Sequence, residues 1–385
     1  MDFAPKRILQ VSYQLLKKLD TKTRLGKRII SYLITEEYRK KLSGYFRDRS
    51  RRKMLKKIRN EKGLNLKDLS RTCLKHISPV TEPLALISQI QCSGGSLLSQ
   101  LFDGHPEIHA HPHELMMGHK KKYIWPPIDL NDRPERWFEI LFEKMIIEHT
   151  RKGYKKGSSD PETFPFILVP SLQKALFLKY LDSIQSITLR AVFDAYMTSY
   201  FGAWINNQNA NGSKKFVTVF TPGLSTQAPN MEFFFDIYPD GRLISLVRDP
   251  KNWFPSAIRH LPEKYGDLED ALSQWKESAL AELRNKEQYG DRVCIIKFED
   301  LASQTETVMR YLAEFLGIEF DDILLVRTFN KFPMKAHADF LEENHGIGSS
   351  PPIRPKTLSA QELDTIERMT CEIYPRVLNE AVKFE

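Results

Sequence analysis

The stretch Leu84–Ile108, LALISQIQCSGGSLLSQLFDGHPEI, does most to limit what this chain can fold into, because strand, turn and helix signals follow one another without a break. The apolar run from Leu84 to Ile90 is short and bounded, which suits a central strand of a parallel sheet better than a helix. Ser93, Gly94, Gly95 and Ser96 then allow a tight turn, and Leu97, Leu98, Leu101 and Phe102 begin a helical apolar period. Backbone N–H groups at such a helix start have no partner within the helix, and the positive end of the dipole lies there. A phosphate or sulfate is therefore stabilised by groups already aimed at it.

The loop is not a Walker loop, since no Lys precedes Ser96 in a G-K-[ST] arrangement and the longer glycine spacing is absent. An ATPase or kinase is disfavoured on that ground. On this stretch alone an ordinary strand–turn–helix corner stays open, because short glycine motifs recur without ligands.

A chain of 385 residues has room for one large α/β domain and an appendage. Cys73, Cys92, Cys294 and Cys371 are far apart with no C-x-x-C pair, so neither a disulfide framework nor a zinc site is expected, and a reducing compartment fits. No apolar run is long enough to span a membrane, and Lys6 and Arg7 are not followed by a signal-peptide core, so a cytoplasmic location is expected. The formal net charge of +8 hides an asymmetry. Residues 1–75 hold 23 of the 57 Lys and Arg but 7 of the 49 Asp and Glu, which leaves this arm at +16 and the remainder at −8.

Within the arm, apolar residues recur near helical spacing from Ile8 to Leu33 with Lys and Arg between them, and Arg47–Lys57 (RDRSRRKMLKK) is denser still. Such a segment can dock on the body, lie peripherally on an anionic membrane surface, or contact nucleic acid. Nucleic acid is disfavoured, because no aromatic interleaving or nucleic-acid module accompanies the charge. The polar stretch Glu61–Glu82 marks the boundary, giving a basic helical N-terminal extension over 1–80 and a body over 81–385.

After the loop helix comes HPEIHAHPHEL, with His105, His109, His111 and His113, and His119 a little further on. A metal site is disfavoured, because the two Pro residues prevent a regular face from presenting these side chains together. The segment reads as a functional loop with His105-Pro106 as its turn. Helical periods follow at Arg136–His149, Leu172–Ile184 and Leu189–Asn206. The last carries Phe193, Tyr196, Tyr200, Phe201 and Trp204, an aromatic stripe that is either core or acceptor pocket. Glu114–Asn211 is thus an insertion in which acceptor recognition can reside. Strands are predicted at Phe216–Phe220, Leu243–Val247 and Val293–Ile296, with helices at Ala228–Ile237 and from Leu301 to Leu316, and Ser359 with Glu362 forms a capping box for a closing helix. This alternation predicts an α/β fold with a central parallel sheet of about four to five strands and ligands at their carboxyl ends.

Three separated motifs point the same way. Gln91–Leu98 is Q-C-S-G-G-S-L-L, with His105-Pro106 after its helix. Leu243–Ser256 reads L-I-S-L-V-R-D-P-x-x-W-x-x-S, with Ser256 eight residues after Arg248. Lys297–Leu301 is K-F-E-D-L, followed by F-L-G-I at Phe315–Ile318. Together they resemble the PAPS-dependent sulfotransferases, whose 5′-phosphosulfate loop is commonly P-[KR]-S-G-T-T-x-L, whose R-D-P Arg and following Ser hold the 3′-phosphate of the donor, and in which the third motif looks structural. Physically, a guanidinium at a strand end and a hydroxyl on the first turn of the next helix can converge on one phosphate. Pairing of Arg248 with Asp249 is the alternative.

The resemblance covers about Leu84–Val382. It implies a P-loop NTPase-like sulfotransferase fold and metal-independent transfer of a sulfuryl group from PAPS to a hydroxyl or amine of a carbohydrate, lipid or small molecule, with PAP as product. It assigns donor binding to Cys92, Ser93, Gly94, Gly95, Ser96, Leu97, Arg248 and Ser256, and with them to Ser349, Ser350, Arg354 and Lys356 of a Gly-, Ser- and Pro-rich tail loop. The catalytic base falls on Glu114, with His113 as the other candidate. Two departures stand out: Cys92 replaces the loop Lys or Arg, and Phe220 stands where a Lys often precedes the T-P of the second strand's end. Lys120, Lys121, Lys122, Arg354 and Lys356 are candidates for the missing cation. A catalytically weak or inactive nucleotide-binding protein of the same fold is the alternative, and a P-loop NTPase or kinase a second.

Overall fold

In the computed structural model, residues 66–115, 128–141, 168–333 and 357–384 are described, so the basic segments Ile8–Leu33 and Arg47–Lys57 lie outside the described residues. The chain divides between Thr72 and Cys73. Helix α1 (Leu66–Lys75) crosses this division, and the sheet with its flanking helices lies wholly in the second unit, Cys73–Glu385.

Strand β1 (Leu84–Ile87) is buried along its whole length because it is flanked on both sides. It pairs in parallel with β3 (Phe216–Phe220) and with β4 (Arg242–Val247). Beyond these lie β2 (Ile108–Glu114) on one edge and β5 (Val293–Lys297) on the other, giving a five-stranded parallel sheet in the order β2-β3-β1-β4-β5. The strands alternate their side chains between two apolar layers, as the pleat demands. Leu84, Leu86, Val217, Val219 and Leu243 share one layer with helices α3 (Pro170–Asp182), α4 (Leu189–Ala203) and α5 (Ala228–Ile237). Ala85, Ile87, Ile244, Leu246 and Ile296 share the other with the loop helix α2 (Gly95–Phe102) and with α10 (Thr305–Leu316). A third cluster, beside the carboxyl end of the sheet, joins Ile90 and Val247 to α6 (Pro250–His260), α7 (Pro262–Tyr265), α8 (Leu268–Tyr289), and α12 (Ile373–Glu380), which follows α11 (Ala360–Thr370).

Several expectations shift in the structure. The His-rich segment is an edge strand, not a loop. Its alternation is interrupted at Pro112, the register with β3 shifts between Ala110 and Glu114, and an edge is where a sheet accommodates both features. The helix preceding Gly317 is two helices, α9 (Phe298–Ser303) and α10, divided at Gln304. Helix α4 stops at Ala203, with Trp204 as its C-cap, and the aromatic stripe it carries is core: none of Phe193, Tyr196, Tyr200, Phe201 and Trp204 exceeds 7 % exposure. The Ser359–Glu362 capping box forms as read, with Glu362 N donating to Ser359 Oγ and Ser359 N donating to Glu362 Oε2. Among the described residues no helix is long and apolar enough to cross a membrane.

The inner face of α8 is unusual in being polar. Ser278 Oγ accepts from Ile90 N at 3.0 Å, and Asn285 Nδ2 donates to the Ser225 carbonyl at 3.0 Å. Glu282 lies between these two on the same helical face, and burial pushes its carboxyl from 4.5 up to about 8. The folded chain therefore keeps a proton that the unfolded chain releases between these two values, so stability falls as pH rises through that window and levels off above it. Thermal melts of Glu282→Gln should accordingly gain on wild type steadily from about pH 5 to pH 8. A difference independent of pH would show that Glu282 is not held neutral.

Candidate functional site

The chain leaves β1 through a segment fixed from several directions. Ser88 Oγ donates to the Thr221 carbonyl at 2.7 Å and accepts from Ser225 N at 2.9 Å. The Ser88 carbonyl accepts from Ser225 Oγ and from Ser245 Oγ, both at 2.9 Å. This lacing ends β1 at Ile87, earlier than its apolar run predicts, and hands the chain to the turn. Cys92 adopts φ 66 and Gly94 φ 94, both left-handed, and Gly94 caps α2, its carbonyl accepting from Leu97 N at 2.9 Å and Leu98 N at 3.1 Å. The amides of Ser93, Gly94 and Gly95 meet no backbone acceptor among the described residues. Ser93 Oγ and both amide atoms of Gln89 are likewise buried without a partner in the described structure. Free amides and orphaned polar side chains at a helix start fit an oxyanion such as a phosphate or sulfate.

Both glycines are demanded by close approach. A Cβ on Gly94 would lie 2.2 Å from the Phe298 ring, and one on Gly95 would lie 2.2 Å from Gln89 Nε2 and 2.4 Å from the Phe220 ring. The latter contact involves Phe220, one of the two departures from the resemblance. The Phe220 ring and the Gln89 amide fill the space that a side chain at 95 would need.

Strand β4 carries Arg248 to this loop. Its Nη1 donates to the Cys92 carbonyl at 2.9 Å, and its guanidinium lies 4.5 Å from the centroid of the Phe298 ring. The third motif thus supports the first two: Phe298 backs both Gly94 and Arg248, and Glu299 Oε1 accepts from Asp249 N at 3.1 Å. Asp249 itself caps α6, accepting from Lys251 N at 2.8 Å. Ser256 sits on the second turn of α6 rather than the first, because the helix begins directly at Pro250. β1 and β4 are neighbours, but the chain goes on from β1 toward β2 and β3 and from β4 toward β5, so loop and arginine meet at the switch point of the sheet.

Glu114 closes β2 in register with Phe220. Leu115 N donates to the Phe220 carbonyl at 2.8 Å, Thr221 Oγ1 donates to the Leu115 carbonyl at 2.8 Å, and Thr221 N donates to the Ile87 carbonyl at 3.0 Å. Glu114 therefore lies on the same carboxyl edge as the loop, two strands over, about 10 Å across the sheet. It is half-buried, and the backbone of His113 precedes it in the strand. His105, His109 and His111 of the same segment are packed into the fold. His105 donates from Nε2 to the Glu319 carbonyl at 2.9 Å and accepts from Glu107 N at 3.2 Å, which anchors the His-Pro turn. His109 packs against Phe201 and His111 stacks on Tyr200; burial, and then Lys214, bring His109 down to about 4. No cluster of three His, Cys, Asp or Glu able to hold a metal occurs among the described residues. Ser349, Ser350, Arg354, Lys356, Lys120, Lys121, Lys122 and His119 lie outside the described residues.

Sequence reasoning missed Gln89 and the supporting roles of Phe298 and Glu299. Gln89 gave one signal, an amide inside an otherwise apolar run, and the other two lay in a motif already noticed.

A free-amide loop after the central strand of a parallel sheet, met by an arginine from the adjoining strand, is an arrangement of the α/β class that can hold an oxyanion. The sulfotransferase family model matches residues 83–322, and the chain belongs to the sulfotransferase family. Among solved structures it is similar to the sulfotransferase domain of the Synechococcus PCC 7002 olefin synthase, at 17% identity over 80% of this chain and 99% of that one, with a TM-score of 0.38. It is similar also to a sulfotransferase from Alicyclobacillus acidocaldarius, at 16% identity over 78% and 96% with a TM-score of 0.40. Mouse sulfotransferase SULT7A1 complexed with PAP shows 12% identity over 80% and 90%, with a TM-score of 0.34. A comparison with curated proteins gave no match.

The packing of Gly95 gives a direct test. Gly95→Ala should lower the urea midpoint by an amount equivalent to about 1–3 kcal/mol, the cost of overpacking. An unchanged midpoint would mean that Gln89 and Phe220 yield freely and do not fix the loop.

Proposed function

We propose that the chain transfers a sulfuryl group from PAPS to a hydroxyl or amine of a carbohydrate, lipid or small-molecule acceptor, releasing PAP without a metal. The observation that supports this most is the hydrogen bond from Arg248 to the Cys92 carbonyl, which fixes a cation beside the unpaired amides of the loop. In this reading the 5′-phosphosulfate lies on Ser93, Gly94, Gly95, Ser96 and Leu97, and Arg248 with Ser256 takes the 3′-phosphate. Ser349, Ser350, Arg354 and Lys356 complete the donor site.

The acceptor oxygen or nitrogen bonds to sulfur as the bond from sulfur to the bridging phosphate oxygen breaks, and the acceptor's proton passes to a base. Protein chemistry has little covalent part in this; alignment, charge stabilisation and the base carry the rate. Glu114 is the proposed base, on the carboxyl edge of the sheet with the loop, and His113 is its rival. The lack of a cation at Cys92 and Phe220 favours a second reading, a nucleotide-binding protein of the same fold without turnover.

Arg248→Ala and Ser256→Ala should each weaken PAP by an amount equivalent to about 1.5–3 kcal/mol, with a much smaller loss for adenosine 5′-phosphosulfate, which lacks the 3′-phosphate. Equal losses for both ligands in calorimetry would remove the assignment of the 3′-phosphate.

Glu114→Gln should keep PAP affinity within about twofold while lowering PAPS turnover by roughly 10²-fold or more. Near-normal turnover in this variant with an inactive His113→Ala would transfer the role to His113. Wild-type chain that binds PAP but consumes no PAPS in the presence of an acceptor panel supports the second reading.

A further inference from the structure

The residue before Cys92 is gripped by three donors from distant parts of the chain. Trp253 Nε1 donates to the Gln91 carbonyl at 2.8 Å, while Lys264 Nζ and Tyr265 Oη donate to Gln91 Oε1 at 2.9 and 2.5 Å. The grip is itself rigid: Trp253 and Tyr265 are fully buried and meet edge to face at 5.2 Å.

What this grip holds is a strained residue. Cys92 is not glycine, yet it has φ 66, a conformation that persists only where the surroundings over-determine it. The two dihedral angles of Cys92 are set by the relation between the rigid peptide planes on either side. The plane before it carries the Gln91 carbonyl, held by Trp253; the plane after it carries the Cys92 carbonyl, held by Arg248. Gln91 Oε1 adds two further bonds to the first plane's own residue. Where a proline would restrict the chain covalently through its ring, hydrogen bonds restrict it here.

We infer that Gln91 is a positioning residue: clamped by Trp253, Lys264 and Tyr265, it holds Cys92 left-handed and so presets the amides of the donor loop. The inference rests on the sulfotransferase reading only for the identity of the ligand. Lys264 and Tyr265 act on the loop through Gln91.

The test exploits the strain. Gln91→Ala and Tyr265→Phe are each made in the wild-type chain and in a Cys92→Gly background, and PAP affinity is measured by calorimetry. In the wild-type background Gln91→Ala should weaken PAP by about five- to thirty-fold, the range set by the cost of a left-handed non-glycine residue, and Tyr265→Phe in the same direction by less. On Cys92→Gly, where the left-handed turn costs nothing, the further loss caused by either substitution should shrink to within about twofold. Equal losses in the two backgrounds, or no loss in either, would overturn the inference. Should Gln91→Ala fail to fold, Tyr265→Phe carries the same comparison.

If the wild-type chain binds no PAP, the donor assignment falls separately, and the clamp is read without a ligand. The rate of Cys92 alkylation by iodoacetamide, resolved by peptide mass spectrometry, should then rise at least about fivefold in Tyr265→Phe or Gln91→Ala if the clamp holds this loop. An unchanged rate would overturn the clamp itself.

Discussion

The donation from Arg248 to the Cys92 carbonyl joins the two halves of the candidate site, and most of what surrounds it serves to keep that bond in place. A loop of unpaired amides is only a weak anion site, because the dipole effect is modest and falls off within the first turn. A fixed guanidinium beside it changes this, since charge-assisted hydrogen bonds are roughly twice as strong as neutral ones. Phe298 backs both partners: its ring lies against Gly94 and under the guanidinium. The K-F-E-D-L motif is thus the mechanical support of the site, and Glu299 extends that support to the backbone of Asp249.

The loop's chemistry is set by what packs on it. Phe220 packs where a side chain at 95 would go, so the glycine and the aromatic ring are matched in space. A Thr at 95 would collide with the ring and with the Gln89 amide. Arg248, with the free amides in support, brings positive charge to the loop.

Much of this was legible in the sequence where local signals agreed. The run from Leu84, the glycine pair and the leucines of α2 gave strand, turn and helix in order, and the apolar runs at Phe216, Leu243 and Val293 marked three more strands. The β2 strand was not legible, because His and Pro residues hide its alternation and only an edge position makes Pro112 tolerable. The grip on Gln91 was equally hidden. Trp253, Lys264 and Tyr265 are 162 to 174 residues away in the chain, and no periodicity brings such partners together. Ser256 falls one turn later in its helix than the sequence suggests, because nothing local shows that α6 starts at Pro250 without an intervening turn.

The central claim is that loop and Arg248 form a site for a nucleotide bearing a 3′-phosphate. Calorimetric titration of the wild-type chain with PAP in metal-free buffer, and in parallel with ATP and magnesium, tests it most directly. PAP should bind without metal and at least tenfold more tightly than magnesium-ATP, in keeping with one additional charge-assisted contact. Tighter binding of magnesium-ATP, or no binding of PAP, would contradict it.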